Sequence, residues 1–299
     1  PDNGAPVTRS GFVALAGRPN AGKSTLLNRI VGEKVAIVSN RPQTTRRAIR
    51  GIATTDDWQL VMIDLPGVQR PRDPLTTRMQ KRMERELADA DGALFVVSAE
   101  ERVGAGDRFI AEAIKRVGLP TVTAVNKLDA IDQERTVRAL DHVAELDVQG
   151  EIYPISAKTG EGVPELLAAM VELLPEGAFM YPPDEHTDMP EKVRIAELIR
   201  EQILRRTRHE LPHAVEVEIE EMTERADGLL VIDANAWAET ESQKAILIGK
   251  RGAMVREIGT SAREEIEALE GRQVHLDLSI RVRRGWRKDE ALLDRLGIE

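Results

Sequence analysis

Eight consecutive residues carry the most specific chemistry in the chain. Gly17, Arg18, Pro19, Asn20, Ala21, Gly22, Lys23 and Ser24 stand in the order G-x-x-x-x-G-K-S. The glycines let the backbone wrap close to an anion, while successive N–H groups and the start of the following helix supply partial positive charge. The Lys23 ammonium is placed to reach β- and γ-phosphate oxygens, and the Ser24 hydroxyl is placed to bind Mg²⁺. The loop follows an apolar run and opens a segment of helical period, the context such a motif requires. Thr25 closes the set of expected phosphate contacts.

A second group names the base. Asn126, Lys127, Leu128 and Asp129 follow the run Thr121–Val125, beyond the carboxyl end of a strand, where α/β sheets present ligand contacts. An ionised Asp is an acceptor only. Guanine offers it two adjacent donors, N1–H and the 2-amino group, which adenine lacks, so a guanine nucleotide is favoured. Asp64, Leu65, Pro66 and Gly67 supply the remaining element: a carboxylate at a strand end that can hold Mg²⁺ through water, and a Gly67 N–H that can meet a γ-phosphate.

The order GRPNAGKS, Gln43-Thr44-Thr45-Arg46, DLPG, NKLD and Ser156-Ala157-Lys158 resembles the five nucleotide-binding elements of translation-factor-type GTPases, and in detail the bacterial Era family. The resemblance implies GTP hydrolysis with Lys23, Thr45, Asp64 and Gly67 as the catalytic set. Mg²⁺ would be bound through Ser24, Thr45 and Asp64. It makes Thr45, with Thr44 the adjacent alternative, the threonine that closes on Mg²⁺ and γ-phosphate. Ser156, Ala157 and Lys158 would contact the guanine, with the Lys127 stem against the base. Asn20 is similar to the residue that relatives with K⁺-stimulated hydrolysis use as a potassium ligand. Ras-like enzymes place a water-orienting glutamine directly after the Asp-x-x-Gly glycine. Here that position is Val68, so slow intrinsic turnover is expected. Gln69, one residue on, reads as a solvated loop side chain.

A third motif lies near the other end. Ile248, Gly249, Lys250, Arg251 and Gly252 precede a helix and match the GxxG loop with which KH domains clamp nucleic-acid backbone. Six basic residues against one acidic residue between Arg272 and Lys288, including Arg281, Arg283 and Arg284, extend the expected RNA surface. The Era resemblance implies the 3′ region of 16S ribosomal RNA and assembly of the small (30S) ribosomal subunit. For some relatives it implies peripheral inner-membrane contact, although no amphipathic basic helix supports that here. Monomer is the default for the oligomeric state.

The elements that must position these groups are legible. An α/β, mixed and mostly parallel sheet is expected from strands at Phe12–Ala16, Ile49–Thr54, Gln59–Asp64, Ala93–Val97, Thr121–Val125 and Ile152–Ile155. Only four residues separate the second and third, too few for a crossover, so that pair is antiparallel. Four prolines between Pro175 and Pro190 mark a boundary. The organisation expected is a GTP-binding domain over 9–175, a linker over 176–190 and a smaller α+β KH-type domain over 191–299. Within the last, Ile195, Ile199 and Ile203 mark a helix. Strands are expected around Val215–Ile219, at Leu229–Ile232 and in a segment ending at Ile248. A helix carrying Met254, Ile258, Ala262, Ile266 and Leu269 follows, and then an alternating strand from Val274 to Val282.

Composition narrows the classes. With 42 basic and 51 acidic residues the net charge is −9, so any nucleic-acid surface must be local. Zero Cys excludes disulfides, thiolate metal sites and cysteine nucleophiles, and fits a cytoplasmic protein. No apolar stretch reads as a membrane span or signal peptide. Scarce aromatics, 4 Phe, 3 Trp and 2 Tyr, argue against RNA binding by rows of stacking rings. The sequence His209-Glu210-Leu211-Pro212-His213 spells a zinc-protease motif, but Pro212 breaks the helix that motif needs. The competing readings are a GTPase signalling to protein or membrane partners, and an RNA chaperone that only holds GDP.

Overall fold

The computed structural model describes residues 8–39, 44–67, 73–207 and 215–298. Gln43, Val68, Gln69 and the His209–His213 motif lie outside the described residues. The chain divides into two units, the first comprising most of the chain up to Asp188 and the second Met189 onward, with the short pieces Ile37–Ser39, Thr44 and Asp73–Leu75.

The first unit is a six-stranded sheet: β1 (Arg9–Gly17), β2 (Ile49–Thr54), β3 (Trp58–Asp64), β4 (Gly92–Ser98), β5 (Thr121–Asn126) and β6 (Ile152–Pro154). The order is β2-β3-β1-β4-β5-β6. Strands β3, β1, β4, β5 and β6 run parallel, whereas β2 and β3 are antiparallel, as the short connection demands. β4 is buried at every position, the continuous apolar run of a strand covered on both faces. The helices are α1 (Lys23–Val31), α2 (Pro74–Asp89), α3 (Ala105–Val117), α4 (Gln133–Ala144) and α5 (Val163–Glu172). α3 turns Ile110, Ala111 and Ile114 inward, where they join Ala14, Phe95 and Val125 in one core. Parallel register brings the carboxyl ends of β1, β3, β4 and β5 to one edge: Leu15 stands beside Asp64, Gly17 beside Val96 and Ser98 beside Asn126. The phosphate loop, Asp64–Gly67 and Asn126–Asp129 follow those ends and Ser156–Lys158 follows the carboxyl end of β6, whereas Thr45 precedes β2.

The proline-rich stretch expected to be a linker is tied to the first unit as far as Asp188. The buried Gln59 amide accepts from Met180 N and Tyr181 N at 2.8 and 2.9 Å and donates to the Tyr181 carbonyl. Ile52 N donates to the His186 carbonyl, and Arg50 pairs with Asp188 at 2.8 Å.

The second unit contains α6 (Glu191–Arg206), β7 (Glu216–Glu224), β8 (Leu230–Ala238), α7 (Glu241–Ile248), α8 (Ala253–Glu270), β9 (Val274–Val282) and α9 (Glu290–Arg295). Its sheet is β7-β8-β9, antiparallel then parallel. Ile195, Ile199 and Ile203 of α6 meet Ile258, Ala262 and Ile266 of α8 over Ile232 and Ala236. The strand expected to end at Ile248 is a helix instead. Thr240 accepts from Gln243 N at 3.2 Å while the Gln243 side chain accepts from Thr240 N. This reciprocal cap starts α7.

Candidate functional site

The bend after β1 is shaped for close approach. Asn20 and Gly22 both adopt positive φ, 64° and 98°, on either side of Ala21, whose amide donates to the Arg18 carbonyl at 3.3 Å and closes the turn. A Cβ at Gly22 would lie 2.1 Å from Asn126 Nδ2, so only glycine fits. Lys23 begins α1 and is 6 % exposed, its Nζ donating to the Gly17 and Arg18 carbonyls at 3.0 and 3.2 Å. Burial pushes the Lys23 ammonium down, against the opposing pull of Asp64. Outside the loop, Arg18 is held by Glu101 and by Asp107 at 3.1 Å.

Three oxygens converge beside it. Ser24 Oγ donates to Asp64 Oδ2 at 2.5 Å, Thr45 Oγ1 reaches the same oxygen at 3.2 Å, and the two hydroxyls are 3.3 Å apart. Asp64 is fully buried, and its Oδ1 makes no hydrogen bond. Buried polar atoms are nearly always satisfied, so an orphaned carboxylate oxygen amid two hydroxyls marks a place for a cation. Burial pushes the Asp64 carboxyl up, and Lys23, Ser24 and Thr45 oppose that. A hard, all-oxygen donor set with one carboxylate suits Mg²⁺, which keeps most of its shell as water and phosphate. Of the two adjacent threonines, Thr45 brings its hydroxyl to this group; Thr44 Oγ1 instead donates to the Ser39 carbonyl at 3.5 Å.

Two further loops meet the phosphate loop from the side of β5 and β6. Asn126 binds them together: its Nδ2 donates to the Ala21 carbonyl at 2.8 Å and its Oδ1 accepts from Ala157 N at 2.8 Å. Asp129 accepts from Ser156 Oγ at 2.7 Å and lies 3.7 Å from Lys158 Nζ. The Ser156 hydroxyl, the main cause, holds the Asp129 carboxyl below the usual carboxylate range, so it is an acceptor only at neutral pH. Lys127, at φ 76°, pairs with Glu100 at 2.7 Å.

Sequence reasoning missed one contributor. Arg29, in the last turn of α1, donates to the carbonyls of Ala157 and Lys158, both at 2.5 Å. The Ala157 peptide is therefore gripped at both ends, by Asn126 and Arg29. Arg29 belongs to no motif, and its only sequence signal is a position one turn before the helix ends at Gly32.

In the second unit Gly249 has φ 72° and ψ 175°, Arg251 φ 55° and Gly252 φ 76°, a tight turn in which the Gly249 and Gly252 amides donate to the Ala245 and Gly249 carbonyls and Lys250 and Arg251 are exposed. Beside the loop is a groove of about 390 Å³ lined by Gly252, Arg256, Gly259, Arg263, Leu276 and Leu278, among others. Arg256 and Arg263 were not anticipated. They repeat with Gly252 and Gly259 at helical spacing on a flank beside the apolar stripe of α8, where Arg263 pairs with Glu267 at 3.0 Å. The basic tail differs from expectation as well. Arg281 pairs with Glu220 at 3.3 Å, Arg283 with Asp289, Arg272 with Glu224 at 2.7 Å and Arg287 with Asp73 at 2.5 Å. Much of its charge is thus matched by carboxylates that are distant in sequence, while Arg284 stays exposed.

The fold and its loops define a P-loop GTPase joined to a KH domain. A family model described as 50S ribosome-binding GTPase matches residues 12–127, and a KH domain model matches residues 210–287. GTPase Era of Lactobacillus helveticus is 45 % identical over 291 residues, 97 % of this chain and 96 % of that protein. GTPase Era of Mycobacterium tuberculosis is 46 % identical over 294 residues, 96 % and 98 % of the two chains. The chain belongs to the Era family of GTPases. A crystal structure of an Aquifex aeolicus Era variant bound to GDP and AlF₄⁻ superposes with a TM-score of 0.93 at 34 % identity, covering 97 % of this chain and 99 % of that one. Era in complex with MgGDPNP and nucleotides 1506–1542 of 16S ribosomal RNA superposes at 0.94, with the same identity and coverage.

Proposed function

We propose that this GTPase uses nucleotide state to control how its KH groove engages the 3′ region of 16S ribosomal RNA during assembly of the 30S subunit, in the cytoplasm. The convergence of Ser24, Thr45 and Asp64 beside a buried lysine carries the nucleotide half of this reading. The positive-φ GxxG loop next to the Arg256–Arg263 groove carries the RNA half. The likeness to the RNA-bound Era complex supports it.

In this reading Lys23 neutralises β- and γ-phosphate oxygens, the loop amides of residues 20–24 cradle them, and the Gly67 N–H meets the γ-phosphate. Ser24 and Thr45 hold Mg²⁺ directly and Asp64 holds it through water; the ion, when bound, offsets the charge that develops on the phosphates. Asp129 accepts from guanine N1–H and the 2-amino group, and Ser156, Ala157 and Lys158 border the base. With no side-chain amide at Val68 to orient water, hydrolysis is slow until a partner or a cation assists. Phosphate release measured with and without a 16S 3′-end fragment tests the proposal: stimulation or inhibition by that RNA is expected, and indifference to it contradicts the coupling.

Arg29 acts here as a positioning residue for base selection. Arg29→Ala is expected to raise the GDP Kd by roughly 10- to 100-fold, since a charge-assisted hydrogen bond contributes about 1.5–3 kcal/mol. The preference for GDP over 2-aminopurine riboside diphosphate, which lacks both the N1–H and the 6-oxo group, should shrink, and Arg29→Lys should restore part of it. A merely structural loss would weaken both nucleotides equally.

Asn20, at φ 64° in the phosphate loop, is proposed as a K⁺ ligand. Hydrolysis should run several-fold faster in K⁺ than in Na⁺ at equal ionic strength. Equal rates in the two salts would remove K⁺ from the account.

A further inference from the structure

The first unit holds a second concavity, apart from the nucleotide loops. It lies between the β4–α3 connection and one face of α4, with a volume of about 840 Å³, within the roughly 300–1,000 Å³ range of small-ligand sites. No residue of Gly17–Ser24, Asn126–Asp129 or Ser156–Lys158 lines it. Val103, Ile131, Ala139 and Leu146 give it an apolar floor.

Its walls are cationic from both sides. Arg102 and Arg108 come from the connection and the first turn of α3; Arg135, Arg138 and His142 come from α4, where spacings of three and four residues place them on one face. The lining also holds Glu100, Glu101 and Glu145, but two of these are committed to bases outside the cavity. Glu100 accepts from Lys127 at 2.7 Å, and Glu101 binds Arg18 at 2.5 Å. Arg138 is matched by Glu134 at 3.1 Å. The guanidinium groups of Arg102, Arg108 and Arg135 have no acidic partner among the described residues. Three unmatched arginines therefore share one concavity with a single uncommitted carboxylate, Glu145, in a chain whose net charge is −9.

Arginines facing one another across a gap repel, and a low-dielectric wall focuses their field. The planar fork of guanidinium donors matches phosphate oxygens bidentately, and several arginines around one gap suit the multiple charge of a phosphate group. We propose that the α3–α4 cavity is a second anion site that binds phosphate groups carried either by a free polyphosphate or by an RNA backbone. It is independent of the nucleotide loops and of the KH groove.

The probe is inorganic pyrophosphate, titrated calorimetrically into the full chain saturated with GDP so that the phosphate loop is filled. Saturable binding is expected, weakened at least tenfold in Arg108→Ala/Arg135→Ala. Both residues are exposed and outside the nucleotide loops, so the GDP affinity of this variant should equal that of the parent. Absence of saturable binding, or binding unchanged in the double variant, overturns the proposal. A 4-thiouridine RNA then separates the sources. Crosslinks to α3 or α4 that pyrophosphate displaces assign the site to RNA backbone, whereas pyrophosphate binding without such crosslinks assigns it to a free anion.

Discussion

Replacing Lys23 with alanine should abolish GTP and GDP binding at micromolar concentrations while leaving the fold in place. The ammonium is buried against the Gly17 and Arg18 carbonyls, within the turn expected to hold the β- and γ-phosphates. Truncating one partner of a buried charge contact to a bound ligand costs about 2–5 kcal/mol, roughly 30- to several-thousand-fold in Kd. The fold should survive because the cost of burying the Lys23 ammonium goes with it, while Asp64 keeps its hydroxyl partners Ser24 and Thr45. Circular dichroism and melting should match the parent without nucleotide, and the stabilisation that GDP confers on the parent should vanish. Retained micromolar binding by Lys23→Ala would mean that the loop is not the phosphate site.

The second large effect is at the GxxG loop, where the two glycines are not equivalent. A Cβ at Gly249 would lie 2.7 Å from Met254 Cβ, and its φ and ψ fall where essentially only glycine is stable. Gly249→Asp should therefore distort the loop itself. At Gly252 the nearest atom to an added Cβ is Arg256 Nη2 at 3.7 Å, so aspartate fits at a backbone cost of about 1–2 kcal/mol. Gly252→Asp then isolates charge and access: it sets a carboxylate where phosphate must approach. RNA affinity should fall at least tenfold and the log–log salt slope should drop by about one phosphate contact, with hydrolysis in the absence of RNA unchanged. Normal RNA binding by Gly252→Asp would remove the KH loop from the interface.

Much of the nucleotide site is legible because its motifs are local. Lys23 and Ser24, Asp64 and Gly67, and Asn126 and Asp129 each sit a few residues past a strand, and parallel pairing brings those strand ends to one edge. What the sequence hides are long-range partners. Arg29 meets the Ala157 carbonyl only because α1 packs beside the loop after β6. Gln59 anchors Met180 and Tyr181, so a proline-rich stretch that reads as a tether is pinned to the sheet edge. The tail arginines read as an RNA surface because Glu220, Glu224 and Asp73, which match several of them, are remote in sequence.

The third strand expected in the second unit is a different kind of miss. Ala245–Ile248 looks strand-like by composition, but Thr240 and Gln243 form a capping box three residues apart, a local signal that decides for helix. Arg256 and Arg263 were equally available: the flank of α8 beside Ile258, Ala262 and Ile266 carries Gly252, Arg256, Gly259 and Arg263 at helical spacing. Reading that polar face together with the apolar one would have located the groove.

The claim on which the rest stands is that the turn between β1 and α1 holds the phosphates of a guanine nucleotide. Equilibrium binding of fluorescently labelled GDP to the purified chain, with Mg²⁺ present, tests it directly. Saturable micromolar or tighter binding, displaced by unlabelled GDP but not by ADP, is the predicted result; no uptake, or equal displacement by both nucleotides, would contradict it.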